Sequence, residues 1–130
     1  MAATSASARA AANRRKGALW ERDLRVGLRN SAHDTEGLKL AGKEDEGDLV
    51  VRTGPRLYVP DFLIIEAKDA KMDVNGFVTE AITEADNYAR HRDLDRSRVT
   101  GIAVVKRRGK NWREAYVITT LAEYMKLDRP

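Results

Sequence analysis

Phe62-Leu63-Ile64-Ile65-Glu66-Ala67-Lys68-Asp69 is the stretch around which the rest of the chain can be organised. It contains the most apolar run in the protein, and a strand that is apolar on both faces sits at the centre of a sheet covered by helices. Glu66 and Lys68 are two residues apart, so on a strand they point to the same face. They emerge where the buried run ends. A carboxylate and an ammonium are costly there unless they pair with each other or bind something. The plainer alternative is an exposed ion pair at a fraying strand end.

Upstream, Asp48-Leu49-Val50-Val51-Arg52 reads as a short strand entered from Gly47. Thr53-Gly54-Pro55-Arg56 carries turn chemistry. A strand beginning near Leu57 would then pair with the first as a hairpin, which brings Asp48 beside Glu66. Residues 33–47 are polar, contain three glycines and read as a loop. From Gly17 to about Ala32, Trp20, Leu24 and Leu28 recur every four residues, which predicts an amphipathic helix with Glu21 bordering its buried stripe.

Downstream, Gly76 to about His91 reads as a second helix with Phe77, Ala81, Ala85 and Tyr88 on one side. A charged connection follows, then a strand over Val99–Val105, a basic turn and a return strand from Glu114 to Ile118. Thr120-Leu121-Ala122-Glu123 has the form of a capping box opening a short helix through about Leu127. The order is helix, two or three strands, helix, two strands, helix. It predicts a single α/β domain with a central mixed sheet flanked by helices, spanning 17–130.

The chain has 130 residues, enough for one domain and too few for two ordinary ones. It has no cysteine, which excludes disulfides, thiolate zinc sites and a cysteine nucleophile. No apolar run approaches a membrane span and no secretory leader is evident, so a soluble, cytoplasmic protein is expected. The net charge of +4 is carried by residues 1–16, which hold Arg9, Arg14, Arg15 and Lys16 and no acid. This Ala/Ser-rich segment reads as a flexible basic arm that attracts phosphate. Its composition also fits an organelle transit peptide.

Two carboxylates converging with a lysine make a site for a hard divalent cation such as Mg²⁺, with Mn²⁺ substituting. The lysine can orient an attacking water, lower its pKa or balance charge on a phosphate. Lys106, Arg107, Arg108 and Lys110, with Trp112 and Arg113, fall at a hairpin tip. Arg14, Arg15, Lys16, Arg22, Arg25 and Arg29 add further positive charge of the kind that contacts phosphate; the plainer alternative for the tip is an ordinary soluble turn. Asp69, Asp73 and Glu44-Asp45-Glu46 read as solvated loop charges, and His33 and His91 receive no role. No organic cofactor is indicated.

Gly47-Asp48-Leu49-Val50-Val51, followed by a strand ending Glu66-Ala67-Lys68, resembles the PD-(D/E)XK nuclease superfamily. Trp20-Glu21-Arg22-Asp23-Leu24 on the first helix is similar to the archaeal and phage Holliday junction resolvases of that superfamily. The resemblance covers roughly residues 16–90 and implies a restriction-endonuclease-like fold. It further implies that Asp48, Glu66 and the Ala67 backbone carbonyl hold metal and that Lys68 is the catalytic lysine. Glu21 would hold a metal-bound water or a second ion; alternatively it favours the helix dipole and pairs with Arg25. Pro60-Asp61 supplies the literal "PD", but at ~3.3 Å per residue Asp61 would lie ~16 Å from Glu66, which makes Asp48 the candidate. Glu84 and Tyr88 resemble a Gln-x-x-x-Tyr segment with Glu in place of Gln; in the alternative, Tyr88 is core and Glu84 solvated.

The function implied is a Mg²⁺-dependent endodeoxyribonuclease, specifically a Holliday junction resolvase acting as a symmetric homodimer on branched DNA. The alternatives are a restriction, nicking or repair endonuclease of the same fold acting on duplex DNA, a non-catalytic DNA-binding module, and a basic-armed interaction protein.

Overall fold

Strand β3 (Asp61–Lys68) lies at the middle of a five-stranded mixed sheet with strand order β1-β2-β3-β4-β5. The coordinates are a computed structural model that describes residues 5–38, 44–54 and 61–130. The other strands are β1 (Asp34–Gly37), β2 (Leu49–Thr53), β4 (Val99–Val105) and β5 (Tyr116–Ile118). Neighbours are antiparallel except β3 and β4, which run parallel. A parallel pair needs a long crossover, supplied here by helix α2 (Val74–His91).

The side-chain alternation of β3 sorts the two faces. Ile65 and Ala67 pack with Trp20 and Leu24 of helix α1 (Ala6–Asn30), together with Leu49, Val51, Ile102 and Val104. Ile64 packs on the opposite face with Val50, Val99, Ala85 and Tyr88, the last two from α2. The sheet is therefore covered on both sides, as the two-faced apolar run of β3 requires. Trp20 also donates from its indole nitrogen to the Val104 carbonyl at 3.1 Å, which satisfies the one polar atom it buries. The predicted single α/β domain with a mixed sheet between helices is the architecture found.

Several boundaries differ from the sequence reading. Helix α1 starts at Ala6, with the Ser5 hydroxyl accepting from the Ala8 N–H at 3.1 Å. The expected flexible arm thus supplies the first three turns of one 25-residue helix, with no break at residue 16. Alanine and arginine are strong helix formers, and their propensity extends the helix where no apolar stripe marks it. Strand β1 lies within the expected loop: it is short, polar and at the sheet edge, and buries only Thr35. Residues Trp112–Glu114 form a 3₁₀ turn, so β5 begins at Tyr116 rather than Glu114. Helix α3 (Leu121–Met125) opens at Thr120, whose hydroxyl accepts from the Glu123 N–H at 3.1 Å. It ends two residues early, where Lys126 turns left-handed at φ 58°. The expected strand start near Leu57 and the Pro55-Arg56 turn lie outside the described residues. No helix among the described residues is long and apolar enough to cross a membrane.

Candidate metal centre and nucleic-acid interface

The register Leu49↔Ile65 between β2 and β3 sets Asp48 next to the end of β3. The Asp48 N–H donates to the Ile65 carbonyl at 3.0 Å, and its carboxylate Oδ2 accepts from the Ala67 N–H at 2.8 Å. Asp48 is thereby fixed against the peptide that joins Glu66 to Lys68. By the alternation of β3, Glu66 and Lys68 face α2, away from α1. Glu66 is only 6% exposed.

On that face the carboxylates of Glu66, Glu80 and Glu84 converge, each offering an oxygen within 4.8 Å of the others. Glu84 is 3% exposed, and its Oε2 has no hydrogen-bond partner among the described residues. The Glu66 carboxyl is pushed up to about 12, by burial first and then by the carboxyls of Glu84 and Asp48. Burial also raises Glu84, to about 7, with Asp45, Glu80 and Asp48 adding to it and the proton shared with Glu66 opposing it. Acids this close in a low dielectric cannot all ionise unless a cation joins them. The donors are all oxygens and one is orphaned in the interior, which fits a hard divalent cation.

Lys68 lies 2.8 Å from Glu80 Oε2 and 3.8 Å from Glu66 Oε1, with its Nζ 5.3 Å from the centre of the Phe77 ring. Burial alone would lower its pKa, but Glu80, Glu66 and Asp48 outweigh it and the net shift is upward. The side chain therefore remains an ammonium.

Glu21 sits on α1, the helix that packs on the sheet face opposite α2. It makes an i,i+4 ion pair with Arg25 at 3.6 Å, and it is close enough to Asp48 to feel its charge. Burial and then Asp48 raise its pKa against Arg25. Asp61 begins β3 at the far end from Glu66, opposite Thr53 and 3.8 Å from Arg98.

Other acids are more engaged than the sequence suggested. Asp69 has a 10% exposed side chain between Lys16 and Lys106, at 3.9 and 4.0 Å. Asp73 caps α2 by accepting from the Gly76 N–H at 3.0 Å. Glu44 pairs with Arg90 and His91, and Glu46 with His91 and Arg92, so His91 ties this loop to the end of α2. Asp45 accepts from the Gly47 N–H at 3.0 Å. Tyr88 is core, whereas Glu84 is buried rather than solvated. Glu80 was not singled out in the sequence. The signal was its place one turn before Glu84, which itself falls within the Phe77-Ala81-Ala85-Tyr88 stripe.

The basic residues divide between a groove and the helix surface. Trp20, Arg22, Lys106, Lys110 and Trp112 line one open groove. Lys106 donates its N–H to the Lys68 carbonyl at 2.9 Å, which ties that groove to the end of β3. Trp112 packs on Gly27 so closely that an added Cβ would lie 2.5 Å from its ring. Arg113 lies over Trp112 at 4.7 Å and Arg107 over Tyr116 at 4.9 Å, while Arg108 is exposed at the turn. Arg14 and Arg15 are exposed on α1, and Arg25 is turned to Glu21.

The chain is similar in structure to an archaeal resolvase. The solved structure of Archaeoglobus fulgidus Hjc, a Holliday junction resolvase from an archaeal hyperthermophile, is 17% identical over 88% of this chain and 99% of that one. The TM-score is 0.44. No family model and no curated protein sequence matches the chain.

Proposed function

We propose that this protein is a cytoplasmic, divalent-metal-dependent endodeoxyribonuclease whose substrate is the four-way DNA junction. The observation that carries the reading is the convergence of Asp48, Glu66 and Lys68 at one end of β3, with Asp48 bonded to the Ala67 N–H at 2.8 Å. Asp48, Glu66 and the Ala67 carbonyl would hold Mg²⁺, for which Mn²⁺ substitutes, and Glu21 would hold a water at its edge. A divalent cation bound there supplies Lewis-acid activation of water and neutralises charge developing on the scissile phosphate. Lys68, kept as an ammonium, donates to a phosphate oxygen or orients the water. Lys16, Arg22, Lys106 and Lys110 hold the DNA backbone and set the scissile bond in register. Arg107, Arg108 and Arg113 extend that contact along the turn, and Arg14, Arg15 and Arg25 along α1.

The junction as substrate follows from the sequence resemblance to resolvases, with Glu21 on the first helix and the motif order after it. Two copies related by a two-fold axis would match a four-way junction and nick two strands symmetrically. Residues 17–130 form the nuclease unit in this reading, and the arginines before them add phosphate affinity.

The test is cleavage of a labelled four-way junction and of linear duplex of the same sequence, with Mg²⁺ and with EDTA. Paired symmetric nicks on the junction alone, abolished by EDTA, are expected. Equal cutting of both substrates would keep the nuclease and remove the junction selectivity. Tight, salt-sensitive binding without cutting would make the protein a non-catalytic DNA-binding module.

A further inference from the structure

We infer that helix α2 contributes two ligands, Glu84 and Glu80, to a divalent-cation site that they complete with Glu66. The inference rests on the proposed nuclease reading only in sharing Glu66, because Glu80 and Glu84 lie outside the Asp48-Glu66-Lys68 motif.

Three observations carry it. One is span: the three carboxylates each present an oxygen within 4.8 Å of the others. Oxygens on opposite sides of an ion bound at 2.0–2.6 Å stand about 4–5 Å apart, so one cation closes this set. Another is the orphan: Glu84 is 3% exposed and its Oε2 lacks any partner among the described residues. A buried acceptor left unpaired destabilises a fold, and an ion would satisfy it. The last is placement. Glu80 and Glu84 are one helical turn apart on α2, and Glu84 occupies a position in the apolar stripe where a purely structural residue would be apolar. Gly47 closes over it: a Cβ there would come within 3.1 Å of Glu84 Oε2. The loop leading into Asp48 thus packs directly on this acid.

Glu80 is shared. Its Oε2 holds Lys68 at 2.8 Å, so an ion that takes Glu80 competes with the lysine and frees the ammonium for a phosphate.

The experiment is Mn²⁺ binding to the full-length protein without DNA, followed by calorimetry, for wild type, Glu84→Gln, Glu80→Gln and Asp48→Asn. Thermal melts check that each variant folds. Both glutamine variants are expected to weaken Mn²⁺ binding by at least about tenfold. Wild-type Mn²⁺ affinity and stoichiometry in both would overturn the inference. Should Glu84→Gln fail to fold, the exposed Glu80 decides alone. Junction cleavage by the same samples separates the two readings. A protein that binds Mn²⁺ through Glu84 and Glu80 yet cuts no DNA keeps this site and loses the nuclease. One that cuts DNA, with both glutamine variants binding Mn²⁺ as wild type does, keeps the nuclease and loses this site.

Discussion

Asp48 Oδ2 accepts the Ala67 N–H at 2.8 Å, so the first acid of the motif is held by the peptide between its second acid and its lysine. Ala67 itself points toward α1, into the cluster with Trp20 and Leu24. Glu66 and Lys68, on either side, point toward α2. A single side-chain-to-backbone bond thus fixes the position of Asp48 relative to both.

Asp48 therefore has a structural and a chemical role that substitution can separate. Asparagine keeps an acceptor for the Ala67 N–H, so Asp48→Asn should unfold within about 0.5 kcal/mol of wild type yet lose at least about 100-fold in Mg²⁺-dependent cleavage. Alanine orphans the N–H, and Asp48→Ala should cost a further 1–3 kcal/mol or so in urea denaturation. Equal stabilities for the two variants would show that the bond contributes nothing.

The buried acids predict a pH dependence for the metal-free protein. The Glu84 pKa is raised from the usual 4.5 to about 7. Below pH 4.5 the group is protonated in both folded and unfolded chains and has no effect. Between 4.5 and about 7 the unfolded chain ionises while the fold retains the proton, so stability falls as pH rises. In EDTA, wild type should be destabilised relative to Glu84→Gln as pH rises from 5 to 7.5, and Mg²⁺ should reverse the trend by replacing the proton. Parallel melting curves for the two proteins across that range would contradict it.

Gly47 carries the conformation on which the approach to Asp48 depends. Its φ is +100°, and an added Cβ would lie 2.8 Å from Ile64 Cγ2 as well as against Glu84. Gly47→Ala should destabilise by about 1–3 kcal/mol and lower cleavage as Asp48 and Glu84 are pushed apart. Denaturation and cleavage measured on one preparation check both effects.

The groove of Trp20, Arg22, Lys106, Lys110 and Trp112 is expected to contact phosphate. Removing Lys106 or Lys110 should flatten the dependence of log binding constant on log salt by about 0.9 per residue, alike for junction and duplex. Gly27→Ala should displace Trp112 from α1 and weaken binding with the lysines intact. Unchanged salt slopes in the lysine variants would place the DNA elsewhere.

What could be read from the chain follows from where its information is local. Phe62–Lys68 and Val99–Val105 are apolar runs whose burial is decided by their own residues, so the central strands were legible. The Asp34–Gly37 strand has no large apolar side chain; only its pairing with Val51 and its neighbours makes it a strand. The first turns of α1 lacked a buried stripe, although alanine propensity was enough to continue the helix. At the site, Asp48, Glu66 and Lys68 stood out because a hairpin brings them together. Glu80 reaches Lys68 only through the βαβ crossover, and Glu44 and Glu46 meet Arg90, His91 and Arg92 more than forty residues away. Such long-range pairings leave no periodic trace, and acids in them look solvated in sequence.

Replacing Lys68 with methionine keeps its apolar stem, removes its charge and isolates what the ammonium contributes to cleavage. Junction binding and single-turnover cleavage in Mg²⁺ would be measured on the same protein. Binding within a few-fold of wild type is expected, with cleavage lowered by about 100-fold or more. Cleavage at the wild-type rate by a folded Lys68→Met protein would contradict a nuclease centre built on Asp48, Glu66 and Lys68.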